Sequence, residues 1–262
     1  MNRILHISPE PETWGTGRQQ DVAVVTKNAA MQLWRHCPNT FLNPIVVRHR
    51  DDHPKAAFAR DEWARIQVWL SAADNCWCKY AYQMAHEFCH VLALHANESA
   101  AYWHKSEHAN HWLEESLCEM ASWFSIRSMS IEWKSDPPYS HWMSYSQSLW
   151  DYAQNLINEA TIQMPESDKF SDWLKLNEPE MRRNSLAGNP TANREANKII
   201  ALMLLPIFER SPNGWESLTF LNLVSRDEHK TLNQQLSDWR SVCPDNLKTL
   251  VGEIAVKFKI QI

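Results

Sequence analysis

The stretch Ala85-His86-Glu87-Phe88-Cys89-His90-Val91-Leu92 lies inside a run whose apolar and polar residues recur at helical spacing. At 3.6 residues per turn, His86 and His90 lie one above the other on one helix face, and Glu87 projects about 100° further round. This HExxH spacing allows two imidazoles to bind one zinc ion while the carboxylate reaches water beside it. The stretch therefore predicts a helix over about residues 77–95 that carries half of a metal site.

A second helical pattern follows in Trp112-Leu113-Glu114-Glu115-Ser116-Leu117-Cys118-Glu119-Met120-Ala121. Glu115 and Glu119 are spaced i and i+4, so they share a helix face. One carboxylate can act as the third metal ligand while the other holds a ligand histidine through its second ring nitrogen. The two stretches together predict a complete metal site.

The strings HEFCH and WLEESLCE resemble the gluzincin zinc metallopeptidases, the group of thermolysin and the leukotriene-hydrolase-like aminopeptidases, over about residues 40–125. The resemblance implies that His86, His90 and Glu115 bind one Zn²⁺ per chain. It makes Glu87 the general base and places Glu119 behind a ligand histidine. The activity it implies is the hydrolysis of peptide bonds in a peptide or protein substrate.

The resemblance also implies an α+β fold, with a zincin-like lobe of a small mixed sheet and an active-site helix, followed by a mainly helical lobe. In such proteases the last strand before the motif helix is an edge strand that pairs with the substrate backbone, a mode that recognises peptides without reading their sequence. Residues 65–70 have the alternation of a strand with one buried face. The substrate edge is therefore assigned to Ile66, Gln67, Val68 and Trp69.

Two alternatives remain open. None of the five glycines lies in a GxMEN-type signature, which disfavours the aminopeptidase branch. His95 stands where regulatory peptidases of the ImmA/IrrE type have an extra histidine, so a zinc-bearing regulatory or binding protein with narrow or absent protease activity is the second hypothesis. In the polar segment between the two motif helices, an imidazole of His104, His108 or His111 could replace Glu115 as a ligand.

The remaining patterns predict the rest of the fold. Strands are expected at residues 3–7, 45–47 and 55–59, and a helix at 18–36. Beyond Ser128 the patterns are helical, at 140–159, 169–176, 193–210, 226–242 and 245–259, with an exposed connector at 179–190. Pro137-Pro138 marks a boundary between a catalytic lobe (1–130) and a helical lobe (131–262) that closes the cleft.

An oxyanion donor is expected from the helical lobe, because the gluzincins that this chain resembles use a Tyr or His there. Between Tyr152 and His229 the chain has neither residue type. On the helix predicted at 140–159, Tyr145 and Tyr152 share a face. We expect Tyr145 first and His141 second.

Composition excludes some partners. The net charge is −5 and no cluster of Lys or Arg stands out, which argues against nucleic acid or acidic membranes as partners. The first ten residues lack the apolar core of a signal peptide, and no run approaches the ~18 apolar residues of a membrane span. A cytoplasmic protein with six reduced cysteines is expected.

Overall fold

The computed structural model describes residues 4–11, 14–96, 108–224 and 227–262. Its strands form one four-stranded mixed sheet in the order β1-β2-β4-β3. β1 pairs with β2 and β2 with β4 in parallel, and β3 pairs with β4 in antiparallel orientation. The α+β class with a small mixed sheet is confirmed. The strands are β1 (Ile7–Pro9), β2 (Ile45–His49), β3 (Lys55–Ala56) and β4 (Ile66–Leu70).

The assignment of the edge strand to Ile66, Gln67, Val68 and Trp69 is wrong. These residues lie in β4, which has β2 on one side and β3 on the other, with Val68 opposite both Val47 and Ala56. The edge is β3, beyond which no described strand pairs. The sequence predicts a strand at 55–59, but the order of strands in the sheet differs from their order along the chain, so the last strand before α2 is not the edge strand.

Helices make up most of the remaining structure. The motif helix α2 has the bounds predicted from the sequence, because its apolar row is continuous over five turns. The helices are α1 (Gln19–Trp34), α2 (Trp77–His95), α3 (His111–Glu132), α4 (Tyr145–Ile162), α5 (Phe170–Leu186), α6 (Arg194–Arg210), α7 (Leu232–Val242) and α8 (Asp245–Lys257), with 3₁₀ turns at Ser140–Trp142, Pro190–Asn193 and Pro212–Phe220.

Helices α2 and α3 lie at the centre of the molecule. Helix α2 packs against α1, β4 and α3, and α3 packs against α4 and α6 on its other side. The hydroxyl of Ser116, buried on α3, donates to the Trp112 carbonyl within the helix at 2.7 Å. The apolar core runs without interruption across Pro137-Pro138, with residues from both halves in one cluster. The division into two lobes therefore stays a prediction.

The start of α2 is fixed by a turn near the N-terminus. Asp74, shortly before α2, accepts hydrogen bonds from the Thr16 backbone N–H at 2.9 Å and from the Thr16 hydroxyl at 3.0 Å. Gly15 has φ +63°, and a Cβ there would lie 2.4 Å from the Asp74 carboxylate. Only glycine permits this backbone conformation and close approach without strain.

The connector expected at 179–190 is also wrong, because α5 continues through Pro179 to Leu186. Burial of Met181 and Ser185 outweighs the backbone hydrogen bond that proline removes. The Ser185 hydroxyl accepts the backbone N–H of Trp112 at 3.2 Å, so α5 satisfies one of the unpaired donors in the first turn of α3. Among the described residues, no helix combines the length and apolarity that crossing a bilayer requires.

Candidate metal centre

His86 and His90 project from α2 into a cleft of about 950 Å³ that Glu115 also lines. The opposite face of α2 is anchored in the core by Ala85 and Phe88, which are fully buried. The two imidazole centroids lie 5.3 Å apart, one helical turn from each other. The amphipathic pattern therefore sets both rings at the surface of the cleft.

Glu115 of α3 faces both histidines. Its Oε2 lies 3.3 Å from His86 Nε2, and its Oε1 lies 3.5 Å from His90 Nε2. Ligands that sit about 2.0–2.1 Å from a zinc ion in tetrahedral geometry are roughly 3.4 Å apart, and each of these two separations is close to that value, with a different Glu115 oxygen facing each histidine. Burial raises the pKa of Glu115, but hydrogen bonds from His111, His86 and His90 outweigh it and hold the pKa well below its usual value. The three residues predicted as ligands are brought together.

Cys118 is a competing third donor. Its sulfur lies within 4.8 Å of one ring nitrogen each of His86 and His90. The thiol is fully buried and does not line the cleft, and burial together with a hydrogen bond to Cys89 raises its pKa well above the usual value. Glu115 lines the cleft together with both histidines and Cys118 does not, so Glu115 is the better placed donor.

The partner behind His90 is Glu114. Its Oε1 lies 2.7 Å from His90 Nδ1, and its Oε2 accepts a hydrogen bond from Asn222 Nδ2 at 2.9 Å. Burial raises the pKa of Glu114, but the hydrogen bond with His90 opposes it and the pKa falls to about 2. The sequence offered one signal for this role, since Glu114 precedes Glu115 and so projects about 100° away on the same helix.

Glu119 has a different environment. Its Oε2 accepts a short hydrogen bond from the Tyr82 hydroxyl, and its buried Oε1 has no hydrogen bond with a described residue. Burial raises the pKa of Glu119, and the charge of His86 opposes this. Glu119 therefore lies in the field of His86 without a hydrogen bond to it, and its role behind a ligand histidine stays a prediction.

Glu87 lies beside the ligands and is 3% exposed. Burial raises the pKa of its carboxyl group, while a hydrogen bond from the Ala56 backbone N–H of β3 opposes the rise. The backbone groups on the other side of this segment pair with β4, where the Ala57 N–H donates to the Gln67 carbonyl at 2.9 Å. Ala56 therefore directs its N–H towards Glu87 and the cleft.

Neither residue expected as the oxyanion donor reaches the cleft. The Cys78 thiol donates to the Tyr145 hydroxyl oxygen at 3.5 Å, near the start of α2. His141 is exposed in the preceding 3₁₀ turn and stacks on Tyr139. Tyr145 is the first residue of α4, so it lies two helical turns from Tyr152, which does line the cleft. The two tyrosines share a helix face, but of the two only Tyr152 lines the cleft.

Two further histidines, His108 and His111, line the cleft. The sequence suggests them only as alternatives to Glu115 as the third ligand. His111 Nε2 lies 3.0 Å from Glu115 Oε1, and its ring stacks on His90 with centroids 6.1 Å apart. His108 is buried beside it, and burial lowers its pKa to about 3, which keeps the imidazole neutral. His104 lies outside the described residues. His95 Nε2 forms a hydrogen bond with the Ala57 carbonyl oxygen at 2.8 Å and not with one of the predicted metal ligands.

Basic residues lie on the side of the cleft that α6 forms. Arg194 is exposed, and Lys198 is bonded to Glu195 at 3.0 Å. Both charges act on Glu119. The cleft thus has an acidic and histidine-rich side on α2 and α3 and a basic side on α6.

No protein-family model matches this chain, and neither the curated proteins nor the solved structures contain a match.

Proposed function

We propose that this protein is a zinc-dependent metallopeptidase of the gluzincin type. The observation that supports the proposal best is the position of Glu115, whose two oxygens lie 3.3 and 3.5 Å from His86 Nε2 and His90 Nε2. Two histidines and one carboxylate that line a cleft together are the kind of ligand set found in catalytic zinc sites, where three protein ligands leave a fourth position for water or substrate.

A zinc ion, when bound, supplies a Lewis acid that polarises a peptide carbonyl and lowers the pKa of a nearby water molecule. Glu87 takes the proton from the attacking water and delivers it to the leaving amine. Burial raises the pKa of Glu87 towards the working pH, which favours this exchange in both directions. Metal binding alone does not require a carboxylate at this position.

The substrate edge is proposed at β3 in place of β4. The outer side of β3 lies along the cleft, since Lys55 and Ala56 both line it. An extended peptide could pair with this side by β-augmentation, which would hold its scissile bond near Glu87. Hydrogen bonds to the main chain bind peptides of many sequences.

The oxyanion donor is proposed to be Tyr152. It lines the cleft, and its ring packs edge-to-face against Tyr82 with centroids 6.2 Å apart. Burial raises the pKa of the Tyr152 hydroxyl, so it stays protonated and able to donate a hydrogen bond. Donors of this kind stabilise the negative charge that develops on the carbonyl oxygen.

The test measures metal content and cleavage together. Zinc is quantified by mass spectrometry on the purified protein, and a degenerate peptide library is incubated with the protein, with protein plus chelator, and with Glu87→Gln. We expect bound zinc, cleavage that the chelator stops, and retained zinc but lost cleavage in Glu87→Gln. Zinc without cleavage in the unmodified protein would instead support the regulatory or binding protein of the ImmA/IrrE-like hypothesis.

A further inference from the structure

A second group of ligand-type side chains lies beside the proposed zinc ligands. His108, His111 and Glu114 each place one ligand atom within 4.8 Å of the others. All three side chains are buried, and all three line the cleft. They follow one another at intervals of three residues, across the turn that leads into α3 and along its first helical turn. Their positions place them on one side of the start of α3.

The backbone that carries the two histidines is fixed. The Ala109 N–H donates to the Glu228 carbonyl at 2.7 Å. The Asn110 side-chain amide donates to the Lys230 carbonyl at 2.8 Å. These bonds cross more than a hundred residues of sequence, so the turn is built by tertiary structure. A site whose donors are held in place before the ion arrives loses less entropy on binding.

His111 and Glu114 each have a lone pair that is free to bind a metal ion. His111 Nδ1 is buried and forms no hydrogen bond with any described residue. A buried ring nitrogen without a partner is costly, and a metal ion would remove that cost. Glu114 uses one lone pair on each oxygen for His90 and Asn222, which leaves a second lone pair on each.

Charge also favours a further cation. Three carboxylates lie on this side of the cleft, those of Glu87 and Glu114, which are buried, and that of Glu115, which is partly buried, and one divalent ion does not balance their three charges. Lys230, whose charge acts on His108, is itself paired with Asp238 at 3.5 Å. Buried carboxylates without a counter-charge are expensive, and bound metal ions are the strongest local counter-charges.

We infer that His108, His111 and Glu114 form a second site for a divalent transition-metal ion, adjacent to the site at His86, His90 and Glu115. Two nitrogens and one carboxylate oxygen suit zinc or cobalt better than calcium or magnesium, which prefer oxygen ligands. Glu114 then serves both sites, because it contacts the second ion and also orients His90. This inference concerns metal binding and does not depend on whether the first site hydrolyses peptides.

The test counts ions. Metal-free full-length protein is titrated with Co²⁺ and followed by native mass spectrometry and by visible absorption. We expect the unmodified protein to bind two ions per chain, and His108→Ala and His86→Ala to bind one each, with different absorption spectra. His108→Phe keeps the ring volume without the donor atoms, so it gives the same count if His108→Ala fails to fold. His36→Ala, a partly buried histidine outside the cleft, should still bind two.

Three outcomes overturn the inference. The first is saturation at one ion that the His108 variants retain and His86→Ala loses, which leaves the proposed function intact. The second is two ions in both His108 variants. The third is a single ion that either substitution removes, since that indicates one shared site. Two ions with the expected losses but no cleavage of peptides would support the second site and contradict the proposed function.

Discussion

The floor and the wall of the cleft draw on different parts of the chain. The floor consists of side chains from the adjacent helices α2 and α3, namely His86, Glu87, His90, His111, Glu114 and Glu115. The wall consists of side chains from two separate segments, Tyr152 and Leu156 of α4 and Arg194 and Lys198 of α6. Three of the six floor side chains are buried and the other three are partly buried, and ligand-type atoms there lie within about 3.5 Å of a partner. Wall side chains are more exposed, and Arg194 forms no ion pair with a described residue.

The difference follows from how each region is encoded. Helix periodicity alone places His86 over His90 and Glu115 one turn from His111, and the extensive packing of α3 against α2 brings Glu115 opposite the two α2 histidines. Wall residues meet only because α4 and α6 pack on α3. Spacing along one helix is visible in a sequence, but the height of one helix against another is set by side-chain packing. The floor can therefore be predicted locally and the wall cannot.

The largest expected effect comes from removing a floor ligand. Glu115→Ala should weaken zinc binding by more than the roughly 100-fold that loss of an outer partner costs. The measurement is a zinc competition titration against a chelator of known affinity. Glu132→Ala, at the far end of α3, is the matched control and should bind zinc normally. Normal zinc affinity in Glu115→Ala would make Cys118 or His111 the third ligand.

The next effect compares two tyrosines on one helix. Tyr152→Phe removes a hydroxyl that faces the cleft, and loss of one oxyanion donor lowers kcat by about 10²–10³-fold. Tyr145→Phe removes a hydroxyl that contacts Cys78 instead, so kcat should stay close to that of the unmodified protein. Both are measured at verified zinc content. Equal kcat values in the two variants would remove Tyr152 from the proposed mechanism.

A smaller effect separates the two carboxylates that flank Glu115. Glu114→Gln weakens a direct 2.7 Å contact with His90, so zinc affinity or activity should fall roughly 10- to 100-fold. Glu119→Gln keeps an acceptor for the Tyr82 hydroxyl, so its loss should be smaller. Zinc affinity of the two variants gives the ranking. The reverse order would assign the principal outer role to Glu119.

The smallest effect is on stability. Burial raises the folded-state pKa of Glu87, so ionising it destabilises the metal-free protein once the pH exceeds its unfolded pKa. Metal-free Glu87→Gln should therefore melt above the metal-free unmodified protein at pH 8, by about 2–4 °C per kcal/mol gained. The gap should close as the pH falls to about 4, where the carboxyl is protonated in both states. Differential scanning calorimetry at the two pH values checks this, and a lower Tm for the variant at pH 8 would contradict it.

Particular residues show where sequence reasoning succeeded. Helix α2 was predicted with its observed bounds because nineteen residues give a clear amphipathic period. A strand at 55–59 was also predicted, but the position of β3 at the edge of the sheet depends on strand pairing, which periodicity does not show. Tyr145 and Tyr152 share a helix face, but seven residues separate them by about 10 Å along the axis, and only tertiary packing decides which one meets the cleft. Glu114 was overlooked because its partner Asn222 is far away in the sequence.

The hydrogen bond between Asn222 and Glu114 spans 108 residues. The candidate metal centre is therefore synthesised in two stages, first the residues on α2 and α3 and later Asn222. His86, His90 and Glu115 are all translated before the first residue of α4. At ~5–20 residues per second, a ribosome needs roughly 5–20 s more to reach Asn222. During that interval the nascent chain carries the three proposed zinc ligands without the Asn222 amide that bonds to Glu114 behind His90. Zinc acquired during translation would therefore bind a looser centre, which tightens only when the segment after α6 folds back onto α3.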